Sequence, residues 1–161
     1  MENAYIGLGS NLADPHAQVE AGIGALDRLP KTRLFARSRL YRSAAWGRAD
    51  QPEFINAAAA LETDLSPREL LDALLALERD AGRERDGTRW GPRVLDLDIL
   101  LFGDRHIDEP GLHVPHPHLH QRAFVLVPLA EIAPDLVVPG RGRVADLRAG
   151  VDVSSCRRMA E

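Results

Sequence analysis

Residues 94–102 read V-L-D-L-D-I-L-L-F, the most apolar stretch of the chain, and they carry Asp96 and Asp98. A run of Val, Leu, Ile and Phe this short reads as a buried β-strand. Aspartate is depleted in strands, and a carboxylate removed from water is costly unless something compensates it. Side chains two apart on a strand share a face, so Asp96 and Asp98 project together, while Leu95, Leu97 and Ile99 project to the other side. The chain must therefore build a sheet with one face packed and the other, beside the aspartates, open to water or to a cation.

The remaining sequence supplies partners for such a strand. Residues 4–8 (A-Y-I-G-L) form a short strand ending at Gly9-Ser10-Asn11. Asp14-Pro15 sets an N-cap and a first-turn proline before Val19, Ile23 and Leu26 at helical spacing, with Pro30 as the stop. Residues 32–42 alternate, with Leu34, Ala36 and Leu40 against Arg33, Arg37 and Arg39, and read as one strand before a loop at 43–52. Residues 54–62 (F-I-N-A-A-A-A-L-E) carry four alanines, which favour helix, yet the segment is short and uncapped and reads as a strand. Ser66-Pro67-Arg68-Glu69 is a capping box opening a helix with Leu70, Leu74 and Leu77 on one stripe and Gly82 as its C-terminal signal. A charged loop over 80–92 leads to the aspartate strand. Gly103-Asp104-Arg105 then suggests a hairpin turn into a returning strand, 112–120 a His/Pro-rich loop, and 123–132 a helix interrupted at Pro128. The order β-α-β-β-α-β with a C-terminal extension predicts an α+β, ferredoxin-like antiparallel sheet with helices packed in an α/β sandwich, as one domain over 1–161.

Composition narrows the function classes. The chain has 161 residues, 45% of them hydrophobic, and no apolar run near the ~20 residues of a membrane span. The start, Met1-Glu2-Asn3, lacks the basic and apolar regions of a signal peptide, so a cytoplasmic location is expected. Cys156 is the only cysteine, which excludes an intrachain disulfide and a cysteine metal cluster. A net charge of −4 argues against nucleic-acid binding. Lys31 is the only lysine among 20 basic residues, so arginine is the chain's habitual cation and only clustered arginines are informative.

Two adjacent carboxylates repel, and one takes up a proton unless a cation lies between them. Magnesium suits that position, because it binds through one or two carboxylates and fills its other sites with water and phosphate oxygens. A solvated acidic face is the alternative for a D-x-D pair taken alone. Beside it, Arg83, Arg85, Arg89 and Arg93 crowd the loop entering the strand. Arginine offers a planar fork for phosphate. The same arginines could instead pair with Asp80, Glu84 and Asp86 or sit at a helix C-terminus. Neither a P-loop nor a kinase Gly-rich loop is present. His113, His116, His118 and His120 raise zinc as a second metal, without a cysteine to join them.

R-W-G-P-R-V-L-D-L-D-I-L at 89–100 closely resembles the signature of the 6-hydroxymethyl-7,8-dihydropterin pyrophosphokinases of folate biosynthesis. Y-I-G-L-G-S-N at 5–11, Q-P-E-F-I-N-A-A at 51–58, V-P-H-P at 114–117 and E-I-A-P-D-L at 131–136 follow in that family's order, so the resemblance spans nearly the whole chain. It implies a ferredoxin-like fold and magnesium-dependent transfer of the β,γ-pyrophosphoryl group of ATP to the pterin hydroxymethyl oxygen, with release of AMP. It implies that Asp96 and Asp98 hold two Mg2+ ions, that Arg83 and Arg93 clamp phosphates, and that Arg85 and Trp90 close over the substrates. Glu78, Ile99, His116 and Arg122 match positions that contact the nucleotide. Phe54 and Phe124 match the two pterin-stacking positions, and Asn56 the residue reading the pterin edge, helped by Ser43, Ala44 and Trp46. The implied partners are small molecules only, with no nucleic acid or membrane, and the implied state is a monomer.

The chain departs from the family pattern at Ser43-Ala44-Ala45, often Thr-Pro-Pro, and at Trp46, where a smaller apolar residue is usual. Phe54 stands for the common tyrosine, Leu75 for a polar residue that can contact the base, and Pro117 for an aromatic. These positions bear on loop geometry and affinity. Two other classes fit a ferredoxin-like domain. An RNA- or effector-binding module would want more than the 5% aromatic residues present, and a basic surface. A metal-dependent nucleotidyltransferase would release pyrophosphate instead of AMP.

Overall fold

A computed structural model describes residues 1–12, 14–43, 53–82 and 94–159. In chain order these form β1 (Glu2–Ser10), α1 (Pro15–Asp27), β2 (Thr32–Arg37), β3 (Tyr41–Ser43), β4 (Phe54–Thr63), α2 (Pro67–Asp80) and β5 (Asp96–Phe102). There follow β6 (Ile107–Glu109), β7 (Leu112–Val114), α3 (Ala123–Ile132), β8 (Val137–Val138), β9 (Gly142–Arg143), α4 (Val144–Ala149) and β10 (Arg157–Arg158). The main sheet runs β10-β3-β4-β1-β5, with β2 also against β4, and all its pairs are antiparallel.

The helix ends follow the local chemistry. Asp14 caps α1 by accepting from the Ala17 N–H at 3.4 Å. At α2, Ser66 Oγ accepts from Glu69 N at 3.1 Å while the Glu69 carboxylate accepts from Ser66 N at 2.8 Å, a reciprocal box. That bond to the charged form holds the Glu69 carboxyl below its ordinary value. Gly82, at φ +97°, takes the left-handed position just past α2.

Two apolar layers sandwich the sheet. On one side Ile6, Leu8, Ala57, Ala59, Leu61, Leu97 and Ile99 pack on Val19, Ile23 and Leu26 of α1 and Leu70 and Leu74 of α2. On the other, Tyr5, Ala58, Ala60, Leu100 and Leu101 pack on Leu126 and Leu129 of α3 and Val144 of α4. The four alanines of β4 thus sit in a central strand covered on both faces, where small apolar side chains let the layers on either side pack closely. That resolves their helix–strand ambiguity in favour of strand.

Four expectations change. The single strand over 32–42 is two, because Ser38 interrupts the ladder. Its N–H donates to Ala58 O at 2.8 Å, its Oγ accepts from Ala58 N at 2.9 Å, and its hydroxyl donates to Arg39 O at 2.7 Å. The turn at 103–105 does form, with Arg105 N donating to Phe102 O, but β6 pairs with β7 and not back onto β5. On β5, the Leu100 carbonyl instead accepts the His116 N–H at 3.0 Å. Within 112–120, β7 and a 3-10 turn at Leu119–Gln121 replace the loop. Finally, α3 continues through Pro128: burial of Leu126, Val127, Pro128 and Leu129 outweighs one missing helical hydrogen bond.

A bulge in β5 positions the site. Gly9, Leu8, Gly7 and Ile6 pair with Asp96, Leu97, Asp98 and Ile99, after which Tyr5 pairs with Leu101, leaving Leu100 as the extra residue. The alternation therefore shifts by one residue. Before the bulge the α3 side of β5 carries aspartates; at and after it, that side carries Leu100 and Leu101.

Candidate active site

At the end of the sheet where α3 begins, the face opposite α1 and α2 is left open as a cavity of ≈ 150 Å³. Gly7 and Gly9 of β1, Asn56 of β4 and Asp96 and Asp98 of β5 contribute to it from the sheet, Ser43 and Phe54 from β3 and β4, and Arg122, Phe124 and Val125 from the start of α3. Seven residues expected at the site from the sequence (Ser43, Phe54, Asn56, Asp96, Asp98, Arg122 and Phe124) are thereby brought to one lining.

Asn56 is only 4% exposed, and its Nδ2 donates to Ser43 Oγ at 2.7 Å. The bond fixes the amide plane on a strand that otherwise carries alanine, which suits an edge presented to a polar ring. The Arg122 guanidinium lies 5.6 Å from the Phe124 ring centroid, so one wall combines a cation with an aromatic face. Asp96 and Asp98 are half-buried on the same side, two hard oxygen donors at the rim of a partly apolar cleft. Two carboxylates, without imidazole or thiolate between them, are the donor set expected for a cation that shares its remaining sites with phosphate oxygens.

His116 stands beside this group. Burial first, then the charges of Arg122 and His118, lower its pKa to about 4 against an opposing pull from Asp96, so the ring is neutral near pH 7. Its Nδ1 accepts from the His118 N–H at 3.3 Å, which leaves Nε2 to carry the proton as a donor. Glu78 is 2% exposed and reaches the edge of β5 from α2, its Oε2 accepting from Leu97 N at 2.7 Å. It secures the backbone between the two aspartates and does not line the cavity. The Ile99 side chain is buried with α1 and α2 on the far face of the sheet. Ala44, Trp46, Arg83, Arg85, Trp90 and Arg93 lie outside the described residues.

The histidines do not gather. His113 Nδ1 pairs with Asp108 at 2.7 Å, and the His116 and His118 rings are 6.4 Å apart. Among the described residues no three His, Cys, Asp or Glu side chains converge as metal ligands.

Sequence reasoning missed Gly7 and Gly9 as part of the lining. A Cβ on Gly9 would sit 3.2 Å from Asn56 Oδ1, and one on Gly7 would sit 3.3 Å from a Leu100 methyl. The available signal was two glycines at strand spacing inside an apolar run, the mark of a close approach.

The chain matches the family model described as 7,8-dihydro-6-hydroxymethylpterin-pyrophosphokinase (HPPK) over residues 5–134. It is 52% identical over 159 residues to the 2-amino-4-hydroxy-6-hydroxymethyldihydropteridine pyrophosphokinase of Pseudomonas aeruginosa, covering 99% of this chain and 98% of that one. With the protein of the same name from Methylorubrum extorquens it shares 45% identity over 159 residues, 99% of each chain. Among solved structures, wild-type Plasmodium falciparum HPPK-DHPS with pteroate superposes with a TM-score of 0.72 at 12% identity, which speaks to the fold alone. That match covers 92% of this chain but only 44% of the longer protein. By the family model and by near-complete alignment to its named relatives, the chain belongs to the 7,8-dihydro-6-hydroxymethylpterin pyrophosphokinase family.

Proposed function

We propose that residues 1–161 form one pyrophosphokinase domain that transfers the β,γ-pyrophosphoryl group of ATP to the hydroxymethyl oxygen of 6-hydroxymethyl-7,8-dihydropterin, releasing AMP, in folate biosynthesis. The observation that carries this is one cleft over a single sheet face, holding two carboxylates, a braced amide and two phenylalanines, one from β4 and one from α3. Its scaffold is ferredoxin-like, with β2 and β3 acting as one bent strand in the order β5-β1-β4-β2/β3.

In this reading Phe54 and Phe124 sandwich the pterin ring, and Asn56, held by Ser43, reads its donor–acceptor edge. Asp96 and Asp98 would hold two Mg2+ ions, which when bound would neutralise triphosphate charge and lower the pKa of the attacking hydroxyl. Arg122 adds positive charge where phosphate oxygens arrive, and neutral His116 offers its Nε2–H to an acceptor without adding charge. By family likeness Arg83 and Arg93 clamp phosphates, and Arg85 with Trp90 closes the site so that water does not compete for the phosphoryl group. By the same likeness Glu78 and Ile99 would meet the nucleotide from the edge and far side of β5 rather than from the cavity. Positioning and charge stabilisation carry the reaction, and no side chain is assigned as a separate general base. The working form is a cytoplasmic monomer. No helix among the described residues is long and apolar enough to cross a membrane.

Nucleotide product analysis with Mg2+, ATP and 6-hydroxymethyl-7,8-dihydropterin tests the reading. AMP is expected one-for-one with pterin consumed, and EDTA should abolish it. Pterin-dependent ADP would mean an ordinary kinase, and pyrophosphate release would mean a nucleotidyltransferase.

A further inference from the structure

The segment E-I-A-P-D-L begins with Glu131, near the far end of α3 and away from the cleft. Its carboxylate accepts the Tyr41 hydroxyl at 2.6 Å and the Arg39 N–H at 3.1 and 3.2 Å. Both donors belong to the chain entering and forming β3, so one side chain of α3 ties the helix to that strand. The contact is part-buried, and burial together with the neighbouring carboxylate pushes the Tyr41 hydroxyl up to about 12, so it stays a donor across the working range.

What the tie joins is informative. Along α3, Phe124, Val127 and Glu131 fall at i, i+3 and i+7 and share one face. Along β3, Tyr41 and Ser43 are two apart and share one face, both buried. Tyr41 and Val127 form a small apolar cluster with Cys156, against which Phe124 packs. The two walls of the cleft are thus Phe124 from α3 and Ser43, the partner of Asn56, from β3. Glu131 and Tyr41 close the same helix–strand seam from its other end.

We propose that Glu131, through Tyr41 and the Arg39 backbone, is a positioning residue that sets the spacing between the stacking ring of Phe124 and the Ser43–Asn56 pair, and so sets affinity for the flat heterocyclic substrate. This rests on the cleft being the pterin site. The aspartates lie on β5, on the other side of β1 and β4 from β3, so of the expected nucleotide contacts on the cleft only Arg122, beside Phe124, shares the affected wall, and Mg-ATP binding should change less than pterin binding.

The test uses the full-length protein with Tyr41→Phe, Glu131→Gln and the double variant. Equilibrium binding of 6-hydroxymethyl-7,8-dihydropterin and of Mg-ATP is measured separately, alongside thermal stability. Tyr41→Phe, which removes one oxygen and keeps the ring, should weaken pterin binding at least about threefold while leaving Mg-ATP binding within about twofold. Glu131→Gln should weaken it further, and the double variant should lose less than the product of the two, because both act on one contact. A folded Tyr41→Phe protein with unchanged pterin affinity would overturn the proposal. So would a parallel loss of both ligands, or lowered stability with both affinities intact, since those belong to a merely structural bond. Failure of the unsubstituted protein to bind the pterin at all would instead strike the reading of the cleft.

Discussion

On the α3 side of the sheet, β1, β4 and β5 carry Tyr5, Ala58, Ala60, Leu100 and Leu101 toward one end and Gly7, Gly9, Asn56, Asp96 and Asp98 toward the other. The first group is buried beneath Leu126, Leu129 and Val144, with Leu100 also bordering the cleft. The second lies where α3 begins, so only its first turn overhangs and a cleft remains. All three strands run through both regions, and β1 and β4 keep an unbroken register from one to the other. What differs is side-chain size and polarity, and on β5 the change falls at the Leu100 bulge. The covered end supplies rigidity, and the open end uses it to hold polar groups where water alone would let them move.

The two ends should fail differently. At the open end, Asp96→Asn or Asp98→Asn should lower kcat about a thousandfold, on the order of 4 kcal/mol of transition-state stabilisation, with an unchanged circular dichroism spectrum and melting temperature. Steady-state AMP formation measures it. If both variants kept more than about a tenth of their activity, the paired-carboxylate metal assignment would fail. At the covered end, Leu101→Ala should cost about 3 kcal/mol of folding stability by leaving a cavity, read from urea unfolding. The protein that remains folded should turn over near the normal rate. A large kcat defect there would show that the ends are not separable.

Between the two lies a substitution that moves the open end toward the covered one. Gly9→Ala would place a methyl 3.2 Å from Asn56 Oδ1 and displace the amide that Ser43 orients. Pterin KM should rise about tenfold, about 1.4 kcal/mol, with the KM for ATP little changed. An equal rise in both would mean that Asn56 does not act on the pterin alone.

The same contrast explains what could be read from the sequence. Asp96 and Asp98 were legible because carboxylates in an apolar strand violate a strong preference, and Asn56 for the same reason. The helices at 15–27 and 67–80 were legible because their caps are local. The Leu100 bulge and the split at Ser38 were not, since each depends on a hydrogen-bond partner distant in the chain, β1 in one case and Ala58 in the other. Gly7 and Gly9 were overlooked because their contribution is an absent side chain. The role of E-I-A-P-D-L stayed hidden because Glu131 meets Tyr41 across 90 residues.

The smallest expected effect concerns His116, which borders both regions: its N–H is bonded to Leu100 at the bulge while its ring feels Asp96. Its pKa falls from 6.5 to about 4 on folding, so between those values the unfolded chain binds more protons at this site than the folded one. Stability from this group is therefore fully present above pH 6.5 and is lost as pH falls toward about 4. His116→Gln keeps a polar side chain that does not titrate. It should lose less stability than the unsubstituted protein between pH 6.5 and 4.5, a difference isolated from carboxylates that titrate equally in both. Chemical denaturation at the two pH values reads the difference directly. Parallel slopes would mean that the ring is as easily protonated in the fold as in water, and a charged imidazolium would then have to be counted beside Arg122 at the phosphate side of the cleft.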